Sequence, residues 1–165
     1  MRKILLLSDT HSHLDPVVLK YAPLHDELWH AGDWGSIEVF DKLSAIKPVR
    51  GVYGNIDGQD LRMCNPKTQS FKIEDVLVLM THIGGYPSRY KPDFLQQIKK
   101  EKPKLVITGH SHILKVVYDK AHNHLHMNPG AMGISGFHSV KTMISFEIEG
   151  NNIKNPKVIE VPKLS

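Results

Sequence analysis

Short apolar runs, each closed by a polar cluster, organise this chain. Ile4-Leu5-Leu6-Leu7 is the first, and Ser8-Asp9-Thr10-His11 ends it. Lys3 to Leu7 therefore reads as a buried first strand. Asp15-Pro16 marks a helix start, with Asp15 as N-cap and Pro16 at the first helical position. Val17, Val18, Tyr21 and Leu24 are expected on its buried side, and Pro23 ends it. Glu27 to His30 reads as a second strand delivering Gly32-Asp33. Ser36 is the expected cap of a second helix, with Ile37, Phe40, Leu43, Ala45 and Ile46 near helical spacing and Pro48 as its stop. Val49 to Tyr53 is a third strand ending at Gly54-Asn55.

The rhythm then changes. Gln69 to Ile73 and Val76 to Met80 predict a hairpin turning at Glu74-Asp75, with His82 just past the second strand. Pro92 to Lys100 is an expected helix, and Leu105 to Thr108 a strand leading into Gly109-His110. Strands follow at Leu114 to Tyr118, Leu125 to Met127, Thr142 to Ile148 and Val158 to Val161, the last pair turning at Gly150-Asn151-Asn152. βα units followed by antiparallel strands predict one α/β domain over residues 1–165, with layered sheets and helices outside. No repeat, linker or low-complexity segment interrupts it.

Composition narrows the reading. Of 165 residues, 41% are hydrophobic and 23% charged, an ordinary globular balance. No apolar run approaches the roughly 20 residues of a membrane span. Met1 to Leu7 imitates a signal peptide, but its apolar stretch is shorter than the usual core of about 7–15 residues. Cys64 is the only cysteine, which agrees with a reducing, cytoplasmic setting. A net charge of +4 invites a nucleic-acid reading. The lysines are scattered, however, and the densest group, Lys99, Lys100, Lys102 and Lys104, sits at an expected helix end, where cations suit the helix dipole. Nucleic acid is therefore disfavoured. It would show as a steep salt dependence of binding.

The more unusual count is eleven histidines. Seven potential metal ligands lie in clusters at or just past expected strand ends: Asp9 with His11, Asp33, Asn55, His82, and His110 with His112. Asp33 could turn one carboxylate oxygen toward each of two ions. Oxygen and imidazole ligands without thiolate suit hard or borderline divalent cations. Two such ions roughly 3.5–4 Å apart can clamp an in-line phosphoryl displacement. Each cluster alone has an ordinary structural reading, as a turn or a packed histidine. Gly109-His110-Ser111-His112 is the strongest of them locally. Asp57 is read as holding its loop through backbone amides.

In this order, Asp-x-His, Gly-Asp, Gly-Asn, His and Gly-His-x-His, followed by Asn128-Pro129-Gly130, the chain resembles the calcineurin-like metallophosphoesterase superfamily over essentially its whole length. Within that superfamily it is similar to the small YfcE-type phosphodiesterases. The resemblance implies a four-layer fold, a central β-sandwich flanked by helices. It implies a first metal held by Asp9, His11, Asp33 and His112, and a second by Asp33, Asn55, His82 and His110. It further implies a phosphoric ester hydrolase, most simply a phosphodiesterase in which two metals activate a hydroxide. Asn55, with His13 as a candidate, would stabilise charge on the phosphoryl oxygens. Asn128-Pro129-Gly130 is taken as structural.

Two departures stand out. Many members carry histidine after Gly-Asn, where it protonates the leaving group; here that position is Ile56. Weak dependence on a protein acid and a preference for good leaving groups are expected, with His13 or water as substitutes. Ile83 intervenes between His82 and Gly84, and is expected to reshape the pocket floor. Arg89, in the loop beyond, reads as solvent-facing, with a substrate phosphate as its alternative contact. The rival reading is a protein-binding scaffold, since the chain also resembles the retromer subunit built on this architecture. Mn²⁺ is the expected metal, with Ni²⁺, Fe²⁺ or Zn²⁺ as alternatives. A small phosphodiester or nucleotide-like substrate and self-association into a homodimer or higher oligomer are expected.

Overall fold

The computed structural model describes residues 1–163. Along the chain its elements are β1 (Arg2–Leu7), α1 (Pro16–Tyr21), β2 (Glu27–His30), α2 (Ile37–Ser44), β3 (Val49–Gly51), α3 (Gln59–Cys64), β4 (Thr68–Ile73), β5 (Val76–Thr81), α4 (Pro92–Glu101), β6 (Leu105–Ile107), β7 (Leu114–Asp119), β8 (His124–Pro129), β9 (Val140–Glu149) and β10 (Asn152–Pro162). They build two five-stranded mixed sheets, ordered β10-β9-β1-β2-β3 and β4-β5-β6-β8-β7.

Alternation along each strand sends side chains to opposite faces, and both faces of the central strands are apolar. Ile4 and Leu6 of β1 pack with Trp29 and Phe146 against Val78, Met80 and Ile107 of the second sheet. That is the inter-sheet core. Leu5 and Leu7 face the other way, onto Val18, Val39, Leu43 and Leu61 from α1, α2 and α3. On the far side, Leu79 and Val106 meet Phe94 and Ile98 of α4. The result is helix, sheet, sheet, helix, the four-layer sandwich expected. Truncating a fully buried leucine such as Leu6 to alanine is expected to cost about 2–5 kcal/mol.

β1, β2 and β3 run parallel, as do β5, β6 and β8. Asp15 caps α1 through the N–H of Val17, as expected. The helix then tightens into a 3-10 turn over Ala22–Leu24. Ala22 takes the buried place, and Leu24, expected inside, is 62% exposed. Ser36 precedes α2 with extended backbone, but its hydroxyl makes no capping bond. β3 stops at Gly51 rather than at Tyr53, whose N–H bonds Pro66 outside the ladder. Helix α3 was not foreseen. It has six residues and buries only Leu61, so it leaves no apolar period to read. β10 is longer than expected, because its first half is exposed and interrupted by a register shift between Lys154 and Lys157.

Candidate metal centre

Five strands deliver polar side chains just past their carboxyl ends: β1 to Asp9, β2 to Asp33, β3 to Asn55, β5 to His82 and β6 to His110. Ligand sites of α/β sheets sit in this position. Backbone bonds tie neighbouring strand ends together within each sheet. Asp9 N–H donates to Gly32 O at 2.9 Å, and Gly109 N–H to His82 O at 3.0 Å.

Two triads result. The ligand atoms of Asp9, His11 and His112 lie within 4.8 Å of one another, and so do those of Asp33, His82 and His110. The triads adjoin. Asp33 Oδ2 is 3.1 Å from His82 Nε2 and 3.4 Å from His11 Nε2, so it faces both groups. Asp9 Oδ1 is 3.2 Å from His112 Nε2 and 3.8 Å from His82 Nε2.

Each carboxylate is held by one oxygen and presents the other. Asp9 Oδ2 accepts from Ser8 Oγ at 2.6 Å and from the His110 N–H at 3.1 Å. Asp33 Oδ1 accepts the Ile56 N–H at 3.1 Å. Asp33 Oδ1 thus accepts from the Asn55 loop, while Oδ2 faces both triads. His82 is fixed likewise, its Nδ1–H donating to Ala31 O at 2.7 Å and leaving Nε2 free to coordinate. Asp9 Oδ1, His11 Nε2 and His82 Nε2 are buried without a hydrogen-bond partner among the described residues. Buried polar atoms are nearly always satisfied. Three converging unsatisfied acceptor or ligand atoms, on carboxylate and imidazole, fit a divalent cation.

The loops carrying these groups are held in unusual conformations. Asp9, His11, Asp33, His110 and His112 all have φ between 46° and 73°. Left-handed backbone costs roughly 1–2 kcal/mol per non-glycine residue, and such outliers cluster at functional sites. The Asp57 carboxylate supports the turn, accepting N–H bonds from Asp33 at 3.0 Å, Gly35 at 3.0 Å and Gly54 at 2.7 Å. This is the role read for it from sequence. His30, stacked on Trp34, accepts the Gly32 N–H on Nδ1 and donates from Nε2 to Thr10 Oγ1. Gly32 adopts φ of 101°. Gly54 and Gly109 are needed for space instead. A Cβ at Gly54 would lie 2.0 Å from Asp33 Oδ1, and one at Gly109 would lie 2.5 Å from Ser8 Oγ.

The charges are strongly coupled. Burial would raise the Asp9 carboxyl, but the imidazoles of His11 and His112 hold it well below the usual carboxylate range. Burial likewise opposes ionisation of Asp33, and His82 outweighs it. In return, Asp9 raises His11. His82 is raised by Asp33 against the desolvation that would lower it. The centre draws positive charge.

The remaining expected residues fall as follows. Asn55 is exposed beside His82, on the wall of a cleft of about 240 Å³. His13 lies against Asp15, Nε2 to Oδ2 at 3.8 Å, where Lys141 also binds. Asn128 donates to Gly109 O and Ser111 Oγ, bracing the Gly109-His112 loop as a structural residue. Arg89 is exposed and lines a second cleft, of about 600 Å³, with His110. Sequence reasoning missed His138. Its ring meets His112 edge-on at 5.2 Å, and Gly136 beside it abuts His112 Nδ1. It lies in a loop without periodicity, and only the histidine count hinted at it.

Residues 2–151 match the family described as the calcineurin-like phosphoesterase superfamily domain, and the chain belongs to that superfamily. No curated protein is significantly similar in sequence. Among solved structures, the chain resembles a novel archaeal phosphodiesterase at 25% identity, with TM-score 0.72, covering 95% of this chain and 99% of that one. It resembles Vps29 of Entamoeba histolytica complexed with zinc at 18% identity, with TM-score 0.74, covering 98% and 99%. It also resembles a conserved Streptococcus pneumoniae protein, a predicted phosphoesterase, at 21% identity, with TM-score 0.70, covering 98% and 90%. Superfamily members of this kind bind divalent metals. No helix among the described residues is long and apolar enough to cross a membrane.

Proposed function

We propose that this chain is a metal-dependent phosphodiesterase. The observation that carries the reading is the pair of adjoining triads, with the inward-facing Asp33 Oδ2 set between them. Asp9, His11 and His112 would hold one ion, and Asp33, His82 and His110, with Asn55 beside them, a second; Mn²⁺ is the first to test. When bound, such ions supply the positive charge that makes water acidic and neutralises phosphoryl oxygens.

The chain's own residues do the rest. Asp9 and Asp33 keep one oxygen on backbone or hydroxyl donors, so neither carboxylate can rotate away. The Ala31 carbonyl fixes the His82 tautomer. Asn55 offers an amide N–H to a phosphoryl oxygen, and His13 is the second candidate for that role. Ile56, 45% exposed, stands where a proton donor would stand and has none to give. Diesters with weakly basic leaving oxygens should therefore react best.

The test is hydrolysis of bis(p-nitrophenyl) phosphate by metal-stripped protein, with and without Mn²⁺, beside Asp33→Ala and His13→Gln. Turnover that needs the metal and is lost in Asp33→Ala supports the reading. Failure with Mn²⁺, Ni²⁺, Fe²⁺ and Zn²⁺ alike overturns it.

One observation favours a second reading, a scaffold that resembles Vps29 in use as well as in fold. Phe137 is fully exposed on the loop that abuts His112, with Ile134 and Ile113 also exposed. A protein partner covering that rim would compete with substrate, and Phe137→Glu would abolish its binding.

A further inference from the structure

Two clefts open beside the Asp33–His82–His110 triad, and Ile83 lines both. The larger, about 600 Å³, includes His110 in its wall and continues past Arg89, Lys91, Lys115 and Tyr86. The smaller, about 240 Å³, includes His82 and Asn55 and continues past Arg62 and Lys67. No aspartate or glutamate lines either one. Each cleft thus begins at a different imidazole of one triad. Ile83, the residue that departs from the superfamily pattern after His82, is the ridge shared by both.

A phosphodiester has two arms on one phosphorus, and phosphorus at the triad would leave an arm for each side of the ridge. The unequal volumes select unequal arms. A volume near 600 Å³ falls within the range of about 300–1,000 Å³ typical of sites that enclose a drug-sized ligand. The floor of this cleft is mixed: Lys115 Nζ lies 4.4 Å from the Tyr86 ring centroid, so a flat apolar surface and a cation adjoin. Arg89 and Lys91 add further positive charge. Uncompensated cations in a cleft raise the local concentration of anions. An uncharged aryl or alkyl arm would gain nothing from that charge.

Resting on the phosphodiesterase reading, we infer that the substrate is an unsymmetrical diester whose larger arm is a phosphorylated nucleoside, seated along Arg89, Lys91, Lys115 and Tyr86. The smaller arm lies on the Asn55 side of Ile83. The second phosphate of the large arm is not the reacting one; its role is to position the diester.

The test compares thymidine 5'-(p-nitrophenyl phosphate) with the same compound bearing a 3'-phosphate, using Mn²⁺-loaded protein. The leaving group is constant, so the ratio of kcat/KM values reads the second anion alone. About tenfold preference for the 3'-phosphorylated compound is expected, since exposed charge contacts are individually weak and several act together. In Arg89→Ala/Lys115→Ala the ratio should fall toward unity, and added salt should lower it in the wild type. Calorimetric binding of thymidine 3',5'-bisphosphate against thymidine 5'-monophosphate gives the same comparison without turnover. Hydrolysis of both esters with no preference overturns this inference and leaves the phosphodiesterase reading standing. Bisphosphate selectivity that the double variant abolishes, without hydrolysis of either ester, supports the cleft and overturns the phosphodiesterase. Equal binding of the two nucleotides overturns the cleft.

Discussion

The carboxylate of Asp57 accepts the backbone N–H of Asp33 at 3.0 Å, and the same oxygen accepts that of Gly54 at 2.7 Å. One side chain outside both triads therefore sets the distance between the loop of Asp33 and the loop of Asn55. Asp57→Ala removes acceptors from three buried or half-buried amides. A stability loss of about 2–4 kcal/mol is expected, with metal affinity weakened about 10–100-fold, as for lost supporting bonds at other metal sites. Urea denaturation and metal titration of the same variant check the two effects separately.

Gly54→Ala tests packing at the same place. Its Cβ would meet Asp33 Oδ1 at 2.0 Å, a contact no side chain tolerates. Asp33 must rotate or the loop must move, and either change turns Oδ2 away from one triad. Metal-dependent hydrolysis should fall at least about 100-fold, the scale of misplacing a reacting group by about 1 Å. Circular dichroism should remain that of a folded α/β protein.

Metal binding should release protons. Without an ion, the carboxylates of Asp9 and Asp33 hold His11 and His82 protonated to higher pH than an ordinary histidine. A cation must displace those protons. Affinity should therefore fall as pH drops from about 8 toward 6. The apparent binding enthalpy should also vary with the ionisation enthalpy of the buffer in calorimetry.

Acid should destabilise the fold through buried histidines that are not among the expected metal ligands. Burial pushes His30 and His126 down to about 3. His126 Nδ1 and His124 Nε2 both bond Tyr90 Oη, at 2.8 and 2.9 Å. The folded state keeps these rings neutral, while the unfolded chain takes up protons below about 6.5. Stability is thus full above that pH and lost progressively as pH falls from about 6.5 toward 3. At pH 5.5 the loss is roughly 1 kcal/mol for each of the two rings. Urea midpoints at pH 7.5 and 5.5 measure it, and His126→Gln should remove that ring's share of the difference.

Much of this was legible in the sequence because strands and ligands punctuate each other. Ile4 to Leu7 read as buried on both faces, and its two cores are there. Glu74-Asp75 read as a hairpin turn, and β4 pairs β5 across it. Asp57 read as a loop brace. What escaped lacks a period or depends on chain crossings. Leu61 alone marks α3. Leu24 looked buried until Pro23 tightened the chain. His30 stood inside an ordinary strand, and only the fold brings the Thr10 hydroxyl onto its Nε2. Arg89 read as solvent-facing, and it is exposed; that it shares a cleft wall with Lys115 and His110 was not legible, because they lie more than twenty residues away in sequence.

The most direct measurement follows Mn²⁺ bound per chain and hydrolysis of bis(p-nitrophenyl) phosphate in one titration of metal-stripped protein. The expected result is two ions per chain, with turnover appearing as the second binds, and loss of both the second ion and turnover in Asp33→Ala. Two ions bound to folded protein with no hydrolysis of any activated diester would contradict the account and leave the chain a metal-carrying scaffold.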